Sequence, residues 1–387
     1  MKVGLVCFHS FAHPGGVKAH VLGLYNEFKK RGIQTKIIVP RRKMSENYGK
    51  DIILLGTSLA LRIAGTQSDL DVNFNPFAIN SLFKKEKFDV LHFHNFSFPS
   101  GFQILERSKA LNVMTFHANI ENIKLFKYFP FIMGVFTKEV RDEIDGIIGV
   151  NPLNLKVFKK YKGPKIVIPN GIDLNEFNPN AEKIKKYLDG KINILFLGRI
   201  EERKGLIYLL KAYKILEKRL GQDWVNSNLR LIVLGEGPEK EDSENWTKEN
   251  NLKNVVFEKK VRKGAAIASY YASADIYCSP AIYGESFGIV LVEAMAVGRP
   301  VVAFANSGYK IVLNRGKGKR FLAKPRDYKA LADKLEILIK NKKLRKEMGA
   351  WGIQESKKYS WPKVVDKVLA FYKLCLAKKQ KSGKNRY

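Results

Sequence analysis

The feature that most restricts this chain is a twofold recurrence of short apolar runs separated by amphipathic stretches. In the first half, runs at Val3–Phe8, Lys36–Val39, Val90–Phe93, Val113–Phe116 and Gly146–Val150 alternate with helical patterns such as Val17–Arg31. A second series follows at Ile192–Leu197, Leu229–Leu234, Val255–Phe257, Ile276–Cys278 and Val301–Phe304. Short apolar runs with helices between them argue for βα units and a parallel sheet. The 387 residues are enough for two such cores. The expected class is therefore α/β, with two doubly wound, Rossmann-like domains facing across a cleft. The segment IPNGIDLNEFNPN at 168–180 is dense in turn formers and marks the hinge about which the domains are expected to close. Open sheets carry their ligands on the loops beyond the strand C-termini, so ligand loops are sought there.

Charge and composition narrow the partners. The chain holds 69 Lys and Arg against 37 Asp and Glu, a formal charge of +32, which attracts polyanions of any kind. Residues 29–43 carry seven basic side chains and no acid, residues 377–387 carry five, and Lys84, Lys85 and Lys87 form a third group. A nucleic-acid module would interleave such residues with aromatics in a known pattern, and none is present, so no nucleic acid is expected. An anionic membrane surface fits better: FAINSLFKKEKF sets Ile79, Leu82 and Phe83 at helical spacing beside lysines. The alternative is that the same apolar face packs on a sheet. The apolar fraction, 45%, excludes a disordered chain. Runs such as Phe129–Phe136 are too short to span a bilayer. MKVGLVCF reads as a first strand, not a signal peptide. Three widely spaced cysteines, Cys7, Cys278 and Cys375, indicate neither a disulfide framework nor a zinc site. The expectation is a cytoplasmic protein.

Three loops carry the chemistry. In HPGGVKAH (13–20), Gly15 and Gly16 offer backbone without Cβ at the start of a helix whose amides attract anions. This is not the G-x-G-x-x-G of dinucleotide domains. In FLGRIEERKG (196–205), Arg199 and Lys204 follow the first strand of the second series; a guanidinium fork and an ammonium suit phosphate oxygens. In SPAIYGESFGIVLVEAMAVGRPVVA (279–303), a helix expected to start near Ser286 would place the amides of Gly288, Ile289 and Val290 in its first turn, ready for a diphosphate. Glu285 and Glu293 are eight apart, about two turns and roughly 80° round such a helix, and so would reach different parts of one ligand. Glu293 lies in an apolar stretch and needs a partner, which ribose hydroxyls would supply.

In these motifs the chain resembles the retaining GT-B glycosyltransferases of family four. PGGV after the first strand, GR…RKG, PNGID at the hinge and ESFGIVLVEA occur in the family's order, and the phosphatidylinositol α-mannosyltransferases are the most similar branch. The resemblance covers most of residues 1–375. It implies an acceptor-binding domain at 1–170, a nucleotide-sugar domain at 171–358, a helix at 359–377 crossing back to the first domain, and a basic tail at 378–387. By family motif, Arg199 and Lys204 bind the diphosphate, Gly15 and Gly16 approach it, and Ser286, Phe287, Gly288, Ile289 and Val290 line the donor. Glu285 holds the donor sugar and Glu293 the ribose, while His117 in MTFHANI stands near the anomeric carbon; His117 and Glu285 are the catalytic candidates. His9 and Lys18 occupy acceptor positions where the mannosyltransferases carry tyrosine and glutamine. The arginine expected to grip an inositol phosphate falls near Asn73, with no basic replacement between Arg62 and Lys84.

The resemblance implies transfer of a hexose from a nucleotide diphosphate sugar, with GDP-mannose the favoured donor, to a lipid or lipid-linked acceptor. The enzyme would then be peripheral on the inner face of the cell membrane. No metal is required by the motifs, a divalent cation such as Mg2+ being at most an assistant, and Asp69–Asp71 reads as a chance Asp-x-Asp. Two alternatives stand beside it: a soluble transferase using a UDP-sugar on a small polar or glycan acceptor, and a nucleic-acid-binding protein on a degenerate scaffold.

Overall fold

A computed structural model of the chain describes all residues except 13, 14, 44, 64, 65, 73, 74, 97, 98, 118–139, 141, 260–263 and 382–387, and the side chains of 59–63, 66–72 and 76. Asn73, Phe129–Phe136 and the end of the basic tail thus lie outside the described residues, as do the side chains of Asp69 and Asp71. The chain folds as two units, one formed by Met1–Gly171 with Trp361–Tyr387 and the other by Ile172–Ser360.

In the first unit the apolar runs become buried strands. The order is β1 (Lys2–Cys7), α1 (Gly16–Lys30), β2 (Gln34–Arg41), β3 (Ile52–Ile63), β4 (Thr66–Val72), α2 (Pro76–Glu86), β5 (Val90–His94), α3 (Ser100–Glu106), β6 (Leu111–Phe116), β7 (Gly146–Gly149), α4 (Pro152–Leu155) and β8 (Lys165–Val167). The sheet runs β4-β3-β2-β1-β5-β6-β7-β8. Every residue of β5 and β6 is buried, as befits central strands covered on both faces. The sheet departs from the all-parallel expectation at one edge, where β3 and β4 pair antiparallel. Neither strand is among the sequence expectations, and TQSDLDV lacks an apolar run that would signal β4. The face of α2 that could have met a membrane packs inward: Ile79 is fully buried and Leu82 and Phe83 lie against the core, leaving Phe77 exposed.

The second unit contains β9 (Ile192–Leu197), α5 (Leu206–Leu220), α6 (Gln222–Asn228), β10 (Leu229–Leu234), α7 (Lys240–Glu249), β11 (Val255–Glu258), α8 (Gly264–Ser273), β12 (Ile276–Ser279), α9 (Ile289–Ala296), β13 (Val301–Phe304), α10 (Ser307–Leu313), β14 (Leu322–Ala323), α11 (Tyr328–Lys340) and α12 (Lys342–Ser356). Its six parallel strands run β11-β10-β9-β12-β13-β14, the strand order of a dinucleotide-binding fold. The order reverses between β9 and β12, as it reverses between β1 and β5 in the first unit. Loops leaving those strand C-termini diverge and leave room for a ligand. Two of the three chemical loops follow β9 and β12, and the third follows β1.

The last helix, α13 (Trp361–Lys381), belongs to the first unit. Val364, Val365, Val368, Phe371, Tyr372 and Cys375 are buried against β1, α1 and β6. It runs four residues past the expected end at 377, so Lys378, Lys379 and Lys381 are helical and not part of a tail. Lys379 pairs with Asp145 at 2.9 Å and also donates to the Ala110 carbonyl, which anchors this last turn.

Candidate active site

In the second unit, the loops after β9 and β12 are clasped together. Gly205 adopts φ +68, and a Cβ there would sit 2.3 Å from the Pro280 carbonyl, so only glycine admits this approach. Ile282 N donates to the Arg203 carbonyl at 2.8 Å. The clasp sets a chain of charges. Lys204 Nζ lies 2.6 Å and Arg203 Nη1 3.1 Å from Glu285 Oε1. Arg203 Nε reaches Glu201 at 2.5 Å, and Arg199 Nε reaches the same carboxylate at 3.2 Å. Arg199 keeps half of its side chain exposed, whereas Glu201 is buried. Burial pushes Glu285 upward, but Lys204 and Arg203 outweigh it and hold the carboxyl below its ordinary range. Arg199, Lys204 and Glu285 are therefore brought together, with Arg203 and Glu201 as connecting members.

The helix after β12 starts later than expected. α9 begins at Ile289, with Gly288 as its N-cap at φ +91, so Ser286 and Phe287 precede the helix. The amides of Ile289 and Val290 open its first turn. Glu285 is off the helix, and the angular argument relating it to Glu293 does not apply. The Phe287 side chain is buried in the core edge-on to Tyr359, which leaves the backbone as the part of this residue that could face a donor. The 285–287 backbone is backed by Gly308, where a Cβ would stand 2.3 Å from the Glu285 carbonyl. Glu293 is partly buried and accepts from the Tyr271 hydroxyl at 3.0 Å. Burial raises its carboxyl to about 7; the Tyr271 hydrogen bond opposes this and Glu176 adds to it.

In the first unit, Gly15 has an extended backbone that any residue could adopt. A Cβ at Gly15 or Gly16 would meet nothing within 4 Å among the described residues. Packing among the described residues thus gives no reason for this glycine pair. Lys18 donates to the Phe11 carbonyl at 2.5 Å and covers the Phe11 ring, pinning the loop after β1. Burial lowers its pKa. At the end of β5, Asn95 adopts φ +62, accepts from the His117 backbone N–H at 2.7 Å and places its amide nitrogen 3.5 Å from His9 Nε2. His117 is buried beside His20 and His94.

Comparison with known proteins gives these positions a context. The domain described as "Glycosyltransferase Family 4" matches residues 14–176, and "Glycosyl transferases group 1" matches 178–355. The phosphatidyl-myo-inositol mannosyltransferase of Mycobacterium leprae is 31% identical over 96% of this chain and 96% of its own. The chain belongs to glycosyltransferase family 4. Its fold is GT-B: sucrose-phosphate synthase from Thermosynechococcus elongatus superposes with a TM-score of 0.76 at 19% identity, covering 97% and 99% of the two chains. Anabaena HepE, in complex with UDP and glucose, gives 0.71 at 15%, covering 96% and 99%. As a family 4 member the chain is a nucleotide-sugar-dependent hexosyltransferase.

For this glycosyltransferase, sequence reasoning missed Glu201, Arg203, Asn95, His20 and His94. Arg203 and Glu201 lie inside the loop already singled out, and only the clasp shows that Arg203 bridges two carboxylates. His20 ends HPGGVKAH, and His94 ends a strand pattern in HFHNF, where a histidine reads as structural. Among the described residues, His20, His94 and His117 are the group whose side-chain nitrogens, all within 4.8 Å of one another, could hold a metal ion. His94 Nδ1 and His117 Nε2 are 3.2 Å apart, the separation of a shared proton. No helix among the described residues is long and apolar enough to cross a membrane.

Proposed function

We propose that this glycosyltransferase retains anomeric configuration and moves a hexose, mannose from GDP-mannose, to a lipid or lipid-linked acceptor at an anionic membrane surface. The observation that carries the donor half is the cation cluster of Arg199, Arg203 and Lys204 beside Glu285, at the point where the second unit's strand order reverses. In the proposed reaction the bond from the anomeric carbon to the phosphate oxygen breaks, and its electron pair stays on the phosphate. The acceptor oxygen attacks from the same face, and its proton passes to the departing phosphate oxygen. The developing charge falls on Arg199, Lys204 and the first-turn amides of Ile289 and Val290, and fixed donors of this kind are worth several kcal/mol each. When phosphate draws Lys204 away, Glu285 is released to accept from the sugar's hydroxyls. Glu293 holds the ribose. Nothing in this scheme routes through a metal.

The acceptor half rests on the names of the mannosyltransferase relatives and on the net charge of +32. His9 and Lys18 are the proposed acceptor contacts, Lys18 being free for a phosphate only if it leaves the Phe11 carbonyl. A thermal-stabilisation and donor-hydrolysis screen of GDP-mannose against UDP-glucose and UDP-N-acetylglucosamine tests the donor, with GDP-mannose expected to lead. The anomeric proton signal of the product tests retention. Sedimentation with phosphatidylglycerol vesicles and with phosphatidylcholine vesicles tests the surface. Binding indifferent to anionic lipid and to salt removes the membrane part of the proposal.

A further inference from the structure

His117 is held by other imidazoles. His94 Nδ1 lies 3.2 Å from His117 Nε2. His92 stacks on His94 with centroids 4.5 Å apart. Both nitrogens of His92 are engaged, one 2.6 Å from the Thr115 hydroxyl and the other 2.7 Å from the Tyr372 hydroxyl of α13. His20 of α1 stands edge-on to His117 at 4.7 Å and lies 5.4 Å from His94. All four rings are buried. Four imidazoles buried against one another do not share the interior as cations, so each ring holds one proton, on one of its two nitrogens.

Counting those protons decides the tautomers. One proton lies between His94 and His117. If His117 owned it, His94 would carry its own proton on Nε2, which is buried and without a partner among the described residues. A buried N–H with no acceptor is a rarer defect in folded proteins than an under-used acceptor. In the opposite arrangement the bare atom is a lone pair on His94 Nε2. His94 Nδ1–H then donates to His117 Nε2, and the single proton of His117 sits on Nδ1. We propose that His94 is a positioning residue that locks His117 in this Nδ1–H tautomer, so that His117 meets its ligand as a hydrogen-bond donor and not as a base. Asn95, held at φ +62 and bonded to the His117 backbone, fixes the ring's origin. The inference rests on the proposed function only in taking that ligand to be the transferred sugar. It then explains the proton's route: His117 has no vacant lone pair, so the acceptor's proton goes to the leaving phosphate.

The test reads the tautomer directly. In protein labelled with 15N-histidine at pH 7.5, long-range 1H–15N correlation is expected to show His117 with a protonated Nδ1 and an unprotonated Nε2. His94→Phe keeps a ring but removes the donor. It is expected to shift His117 toward the Nε2–H form and to lower kcat roughly tenfold, with the donor KM little changed. His94→Asn, whose amide can donate from near the Nδ1 position, is expected to restore both readouts and stands in should His94→Phe fail to fold. An Nε2–H form of His117 in the wild-type protein, an unaltered His117 pattern in His94→Phe, or a stoichiometric transition metal in the purified enzyme each overturns the inference. Because the wild-type spectrum needs no substrate, it decides the tautomer even if the donor or acceptor assigned above is wrong.

Discussion

At the scale of single residues, Lys204 is the most economical probe, since it faces Glu285 at 2.6 Å in a site that also holds Arg203. Removing it takes one cation from the departing diphosphate but leaves Glu285 paired with Arg203, so the fold should survive. Lys204→Ala is expected to lower kcat by about 10²–10³, the usual cost of a lost transition-state donor, with unchanged circular dichroism. Glu285→Ala is expected to be as damaging, and wild-type turnover in either variant would remove the site assignment. Gly16 gives the complementary test. Nothing among the described residues opposes a side chain there, so Gly16→Val should melt within a few degrees of wild type while losing most transfer activity; a fully active Gly16→Val would mean that no ligand approaches this backbone. These residues were legible because each sits in a loop directly after a strand with an unusual composition. Arg203 and His94 were not, because their roles depend on which neighbour the side chain faces, and neither adjacency nor residue type encodes that.

At the scale of elements, the sequence points to α9 as the ligand helix but sets its start three residues early. An apolar stretch with no Ser, Thr, Asp or Asn cap at the true start gives no boundary signal, and the cap is Gly288, whose role rests on φ +91. The same apolar helix makes Glu293 unusual, and its titration yields a prediction with a definite sign. The carboxyl rises from 4.5 to about 7 on folding. Between those values the unfolded chain ionises and the folded one does not, so the contribution of Glu293 to stability is fully present below about pH 4.5 and is lost as pH rises to about 7. The total loss is of order 3 kcal/mol. Glu293→Gln should abolish this decline, so its melting-temperature advantage over wild type should widen from pH 4.5 to 7.5. Ribose hydroxyls prefer a carboxylate as acceptor, so nucleotide binding should tighten with rising pH over the same range and release a proton. Calorimetry of GDP binding in two buffers of different ionisation enthalpy measures that release; its absence in wild type, or its persistence in Glu293→Gln, counts against Glu293 as the ribose acceptor.

At the scale of the molecule, the duplicated strand pattern made both sheets legible, and Ile192–Leu197, Leu229–Leu234 and Val301–Phe304 coincide with observed strands. What local pattern could not reveal is how α13 completes the first unit from beyond the whole of the second, residues 172–360. Trp361 packs on α1 so closely that a Cβ at Gly23 would stand 1.9 Å from its indole, and Arg31 reaches Asp366 at 2.6 Å and the Pro362 carbonyl at 2.9 Å. Tyr372 closes the imidazole cluster through His92. Burying an aliphatic or aromatic side chain is worth about 1.5–3 kcal/mol, so the six buried residues of α13 account for roughly 10 kcal/mol. That is comparable to the whole stability of an ordinary domain, about 5–15 kcal/mol. Truncation after Ser360 should therefore unfold the first unit and spare the second, whose core uses no described residue beyond Tyr359. Two transitions resolved by calorimetry in the full chain should become one in the truncated chain, and the surviving transition should still shift upward with GDP. If both transitions persist, α13 is an accessory; if neither does, the second unit depends on the first in a way that its own two cores do not account for.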